Sequence, residues 1–496
     1  MPIVHADGHS FGMVTLRDDF GKYCREKQTG NCLRAAADKY GYPDLCLTNV
    51  WHKLTHWPGE ILTTEPTAAI PKGHLLRSIG FIGMAVLVLN SVIGAGIFAL
   101  PSAIASAAGA WSPWLFLIVG VLVITVVLSF AELASYFSDS GGPVLYTTTA
   151  YGPLVGFGTG WILYLSRMTA FAANVNVMAI YLGAVWPWFI DGIGRGLVIT
   201  LVCVGLTVAN YLGVKDGVRT MAVFTFFKLT PIFILILLGL PYVTPDTLLP
   251  AGLPEINDIG GTTLLLIYAY VGFESATIIS GETLNPRRTL PRALVATVIA
   301  TGAIYFLIVL VYISVLPNFG ADSKTLTDVG RELAGPAGVI VITLAAVFSI
   351  GGNLSSIMLA VPRLTFAMSE QHLLPGWFGE VHQKYSTPGN SIILLGGLGL
   401  VFALSGSFAF LAATSSLTRL ITYMLCIIAL PIIRRRADAE ARAAAYRLKG
   451  GYTIPLIALG VCAWIAAQSN LQSWSLTAGL LVVGFGLYLA ARQREA

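Results

Sequence analysis

From residue 77 to residue 491 the chain is a succession of apolar stretches, each long enough to cross a bilayer and joined by short polar segments. They run roughly over 77–101, 113–137, 153–186, 195–211, 218–242, 262–281, 293–316, 335–368, 391–408, 409–433, 452–469 and 472–491, about twelve in all. A helical span needs about 20 predominantly apolar residues. Inside lipid every backbone N–H and C=O must be satisfied by the protein itself, which leaves helices or closed barrels. Stretches this long and this continuously apolar fit helices, not the alternating strands of a barrel. Composition agrees, because 55% of the residues are hydrophobic and only 11% are charged, where a soluble domain carries about 25% charged residues. The expected fold class is therefore an all-α integral membrane protein.

Residues 1–72 differ from the rest. They are polar and contain no apolar run near span length, and no basic segment leads into an apolar one as in a signal peptide. This stretch reads either as a short, poorly ordered extension or as an over-long translated start, with the protein opening near Met84 or a little upstream. It holds Cys24, Cys32 and Cys46, while Cys203, Cys426 and Cys462 fall in apolar runs. The spacing gives no disulfide framework and no CxxC pair. A metal site built from the three early cysteines with His52 and His56 is weaker than a reading as free thiols. Residues 73–433 form the expected core of ten helices. Residues 434–496 form a basic loop and helices eleven and twelve.

Orientation follows from Lys and Arg in the short loops. One set of loops carries Lys72, Arg77, Lys215, Arg219, Arg287, Arg288, Arg292, Lys384, the run Arg434–Arg436, Arg442, Arg447, Lys449, Arg492 and Arg494. The other set carries only Arg195, Lys324 and Arg331. Both termini are expected in the cytoplasm, and the basic run after residue 433 reads as an anchor at the lipid surface.

Two spans are irregular. "NSVIGAGIFALP", residues 90–101, carries Gly94 and Gly96 two apart with Pro101 beyond. "YAYVGFESATIISGE", residues 268–282, carries Gly272 next to Glu274. Gly inside a helix costs about 1 kcal/mol against Ala, and small residues also serve close helix packing. These two segments are the first and sixth spans, corresponding members of two halves of five helices each. Such a pairing is the sequence pointer to a midplane site in a transporter. An unwound segment at membrane depth is tolerated only where it lines a cavity. Its N–H groups suit a carboxylate and its carbonyls suit an ammonium, so an α-amino acid matches both.

With "SFAELASYFSDSGGPVLY", "YAYVGFESATIISGETLNPRRTLPRAL" and "PRLTFAMSEQHLLPGWF…STPGNSI", these segments resemble the amino acid–polyamine–organocation superfamily over about residues 75–490. The resemblance implies a five-plus-five inverted repeat with two further helices, a broken first and sixth helix, and alternating access. It assigns the N–H groups of Gly94, Ala95, Gly96 and Ile97 to a substrate carboxylate. It assigns the carbonyls of Val92, Tyr268 and Val271 to the α-amino group, and makes Tyr268 an aromatic gate. The chain departs from the family pattern at Ala95, where many relatives have Ser, and at Ser138 and Val144, which replace Pro and Tyr of a Pro-x-x-Gly-Gly-Pro-Tyr loop.

A charge at mid-membrane costs at least about 2.5–3.5 kcal/mol and is a functional hypothesis by default. The resemblance places Lys228 where sodium-coupled relatives hold Na⁺. It is expected to bridge the fifth span to the first as a fixed cation, to carry a coupling proton, or both. Glu274 either caps freed N–H groups and pairs with Arg or acts as a gate or proton residue. Arg167, in a third span where relatives have small residues, is either paired with a carboxylate such as Glu274 or faces the substrate and turns selectivity toward acidic amino acids. Glu132 reads as an interfacial anchor and Arg419 as a structural charge of the tenth span. Asn174, Asn176 and Asn353 read as interhelical glue more than as ligand contacts.

Enzyme motifs such as HExxH or a phosphate-binding loop are absent, and nothing repeats like a channel filter. No metal, organic cofactor or nucleic acid is implied. The expectation is a permease of the cytoplasmic membrane that carries an amino acid as a proton symporter or exchanger, with lipid as its surround. A carrier of polyamines or other organic cations, or a non-transporting sensor on the same fold, is the alternative.

Overall fold

The computed structural model describes residues 79–493, apart from 138–140, 214–216, 251, 253–257, 279, 281–282, 317–323 and 449. The expectations for residues 1–72, including Cys24, Cys32, Cys46, His52 and His56, lie outside these residues, as does Ser138. The described chain is nearly all helix, and its single β-bridge joins Ile79 to Thr283. Eight helices are long and apolar enough to cross a membrane, and four shorter apolar ones join them.

Taken in order, these make twelve passes among the described residues. The first is split into Phe81–Val92 and Gly96–Ala108, and the second is Ser112–Tyr136. The third is Pro153–Val185, the fourth Gly192–Leu212 and the fifth Gly217–Gly239. The sixth is split into Ile259–Tyr270 and Glu274–Ile278, and the seventh is Pro286–Val315. The eighth lies in Leu326–Glu370, interrupted at Ala334 and Gly335 (φ 60°), so its membrane part starts at Pro336. Gly389–Ser405, Phe408–Arg436, Thr453–Ala467 and Leu471–Gln493 complete the set.

The first pass extends to Ala108, beyond the expected residue 101. Its interruption lies at Ile93–Ala95, and Pro101 is carried inside the second half-helix. The loop after the second pass folds into a further helix, Pro143–Tyr151, which starts from Gly142 (φ 51°). A Cβ on Gly142 would lie 2.6 Å from Thr277 Oγ1, so this loop packs against the sixth pass.

Burial separates an inner set of helices from an outer one. In the third pass 78% of the most apolar window is buried, against 22% in the fourth and twelfth. The second pass lies along the seventh, and the third lies along both the eighth and the tenth. Outward positions are large and apolar, among them Leu201, Phe226, Leu237, Val401 and Val482. An apolar exterior around a polar-bearing centre is what lipid as solvent requires. At one end Glu132, fully buried, takes both Nε and Nη2 of Arg434 at 2.7 Å and the Leu448 N–H at 3.1 Å. Arg434 also stacks over Tyr452 at 4.6 Å. This forked pair fastens the second pass to the end of the tenth.

The sixth-pass break depends on Gly272, whose φ of 122° disfavours any side chain and whose added Cβ would run into the Ser91 carbonyl oxygen. Gly272→Ala should cost about 2 kcal/mol or more, seen as a lowered melting temperature of the detergent-purified protein. Gly158→Ala is the control. It is helical, nothing lies within 4 Å of its added Cβ, and it should melt at or slightly above the wild-type temperature.

Candidate functional site

The break in the first pass frees five carbonyls, those of Asn90 to Gly94, and each has a donor. Asn353 Nδ2 donates to Ser91 O at 3.0 Å. Val92 O accepts the Gly94 N–H at 3.0 Å and faces Tyr305 OH at 3.5 Å. Ile93 O accepts Lys228 Nζ at 2.7 Å and Ser349 Oγ at 3.3 Å, and Gly94 O accepts Ser349 Oγ at 3.2 Å. Lys228, fully buried, also reaches Asn90 O at 3.2 Å and Asn90 Oδ1 at 2.6 Å. Its ammonium thus ties the fifth pass to the last turn before the break. The N–H groups follow a different pattern. Gly94 spends its N–H on Val92. Ala95, Gly96 and Ile97 open the second half-helix, where the first N–H groups have no intrahelical acceptor. Ala95 caps this helix without a side-chain hydrogen bond.

The sixth-pass break does the reverse. In an unbroken helix the Gly272 N–H would go to Tyr268 O and the Ser275 N–H to Val271 O. Here Gly272 donates to Glu274 Oε2 at 3.0 Å and Ser275 to Gly272 O at 3.1 Å. The carbonyls of Tyr268 and Val271 are left without their helical donors. Glu274 is fully buried and collects further donors, with Arg167 Nη2 at 2.9 Å on Oε1 and Tyr423 OH at 2.9 Å on Oε2. Arg419 Nε stands 3.5 Å from Oε1. Arg167 Nη2 donates to Ser275 Oγ as well.

The two breaks lie against each other. Beyond the approach of Gly272 to Ser91, a Cβ on Gly96 would meet Ala269 Cα at 3.1 Å. Between them opens a narrow cavity. Of the residues expected at the site, Val92, Gly94, Ala95, Gly96, Arg167, Tyr268 and Val271 line it. Ile97 is fully buried on the first turn of the half-helix and is not among the lining residues, and neither are Lys228 and Glu274. Tyr268 packs edge-on against Phe408, with ring centres 5.8 Å apart, and donates to Asn174 Oδ1 at 2.6 Å.

Sequence reasoning missed part of the lining. Asn174 and Asn353, read mainly as glue, do bond to each other at 2.8 Å, but both also face the cavity. Asn176 stays outside it, bonded to Ala172 O, Ala403 O and Arg195. Arg419, read as a structural charge, lines the cavity too. Its only sequence signal is a guanidinium in the middle of an apolar run.

Open N–H groups on one wall and open carbonyls on the other complement the two charged ends of a small zwitterion. Comparison with known proteins agrees in kind. A family model described as amino acid permease matches residues 79–487. The serine/threonine exchanger SteT of Bacillus subtilis (strain 168) is 28% identical over 439 residues, covering 85% of this chain and 98% of that protein. The methylthioribose transporter of the same organism is 26% identical, covering 85% of this chain and 95% of that protein. Its branched-chain amino acid permease BcaP is 25% identical, covering 79% and 88%. A match that spans both breaks and all but the end of the twelve passes makes this chain a member of the amino acid permease family, a membrane transporter and not an enzyme.

Proposed function

We propose that this protein moves an amino acid across the cytoplasmic membrane by alternating access, as a proton symporter or an exchanger. The observation that carries the reading is the pairing of the two breaks. One leaves the N–H groups of Ala95, Gly96 and Ile97 open, and the other leaves the carbonyls of Tyr268 and Val271 open, with residues of both around one cavity. The α-carboxylate sits at the positive end of the second half-helix, and the α-ammonium sits on the carbonyls. Val92 is a poorer ammonium acceptor than the other two, because its oxygen already accepts Gly94 and faces Tyr305. Tyr268 closes over the substrate. Two guanidiniums on the cavity wall oppose a polyamine. The excess of Lys and Arg on one set of loops supports both termini in the cytoplasm.

The test is uptake of labelled neutral and acidic amino acids into proteoliposomes, with and without an inward proton gradient, Na⁺ absent. Uptake of at least one member above protein-free vesicles is expected. Stimulation by the gradient identifies symport, and stimulation by internal amino acid identifies exchange. Silence across the panel overturns the reading.

Lys228 stands where its ammonium holds Ile93 and Asn90, and in this reading it couples the fifth pass to the site. Lys228→Ala should abolish uptake or its pH dependence, and wild-type uptake and pH profile in that variant would leave Lys228 a packing residue only. The Gly96→Leu variant is a poor probe of carboxylate binding, since its side chain would first meet the Ala269 backbone. Residues 1–72 play no part in this reading. A chain starting near residue 70 should transport at the wild-type rate, and loss of uptake would assign that segment a role.

A further inference from the structure

Three charged side chains meet at the edge of the cavity, and they do not balance. Arg167 and Arg419 are cationic and Glu274 is the one carboxylate with them. Glu274 already has three donors, because Oε1 takes Arg167 while Oε2 takes Tyr423 and the Gly272 N–H. Arg419 receives what remains, a 3.5 Å approach of its Nε that is not a hydrogen bond. That Nε is buried with no hydrogen-bond partner, and Arg419 as a whole is 3% exposed. The same side chain lines the cavity between the two breaks. A guanidinium has five donors and no way to lose its charge. An incompletely paired one inside a membrane is costly unless something else completes it.

A zwitterion does not complete it. The α-carboxylate and α-ammonium of a neutral amino acid cancel, and both are already provided for by the open N–H groups and carbonyls. A substrate with one further negative charge restores the balance. We propose that Arg419 receives a side-chain carboxylate of the substrate, so that the transported species is an acidic amino acid. Arg167 positions the site by holding Glu274 and Ser275, and Glu274 keeps two guanidiniums close together without neutralising both. The forked, planar donor set of Arg419 matches a carboxylate and not an amide. The inference rests on the amino acid reading above and narrows it.

The test compares L-glutamate and L-aspartate with L-glutamine and L-asparagine as labelled substrates and as competitors in proteoliposomes. The amides match the acids in size and differ in charge. The wild type should prefer the acids. In Arg419→Gln the KM for the acids should rise by about 10- to 100-fold, the loss of a charge-assisted hydrogen bond, and by a clearly larger factor than the KM for the amides. A wild type that transports neutral amino acids and ignores the acids overturns the proposal and leaves amino acid transport standing. Equal losses for acids and amides in Arg419→Gln also overturn it. Transport of neither class overturns the proposal, and amino acid transport itself then rests on the wider panel above. Should Arg419→Gln fail to fold, thermal stabilisation of the detergent-purified wild type decides. Protection by L-glutamate but not L-glutamine supports the proposal, and equal, absent or reversed protection overturns it.

Discussion

Backbone hydrogen bonding at membrane depth is the constraint on which the rest of the structure depends. A helix satisfies its own N–H and C=O groups, and a broken helix in lipid leaves groups unpaired at several kcal/mol each. The first pass is broken at Ile93–Ala95, and the five carbonyls of Asn90 to Gly94 would be stranded there. Asn353, Tyr305, Lys228 and Ser349, from the fifth, seventh and eighth passes, face them. The side chains that look out of place in an apolar sequence are largely those that settle this account. The arrangement is selective, because carbonyls of the first break are closed off while the N–H groups of the following turn are left open. The sixth break makes the opposite choice.

Glu274 organises the second break in the way Lys228 organises the first. One carboxylate collects the Gly272 N–H from its own turn, Arg167 from the third pass, and Tyr423 from the tenth. Removal of a single partner from such a cluster leaves a buried charge exposed to its neighbours, which is more damaging than the net worth of the pair. Of the two charged hubs, one is cationic and bound to carbonyls, the other anionic and bound to guanidiniums. Charge of each sign is therefore held by groups of the protein before any substrate arrives, as preorganised electrostatics requires.

Much of this was legible in the sequence, for a physical reason. Lipid demands long apolar helices, so hydropathy alone outlines the passes. Gly94, Gly96 and Gly272 mark the breaks, since only Gly accepts the φ of residue 272 beside the Ser91 carbonyl. Boundaries were less legible. Pro101 suggested an end to the first pass, yet the half-helix carries it and continues to Ala108. The helix Pro143–Tyr151 was hidden because it is short and half polar. Least legible was which wall a residue faces. A membrane helix is apolar on all sides, so periodicity does not separate its cavity side from its lipid side. Arg419, Asn174 and Asn353 were visible as polar intruders, but their meeting around one cavity depends on how the third, eighth and tenth passes are rotated.

The close approach of Gly96 to Ala269 has a consequence for how such a site is read from two sides of a membrane. With only 3.1 Å between a would-be Cβ and the opposing Cα, the half-helix bearing the donors and the half-helix bearing the acceptors abut almost backbone to backbone. In the alternating access proposed above, so close a contact would keep the span between open N–H and open C=O constant while the surrounding helices rearrange. The part of a substrate common to every amino acid would then be measured the same way whichever aqueous compartment the cavity faces. On that proposal, any difference in affinity between inward and outward arrangements would fall on the variable end of the molecule, on the walls contributed by the third and tenth passes.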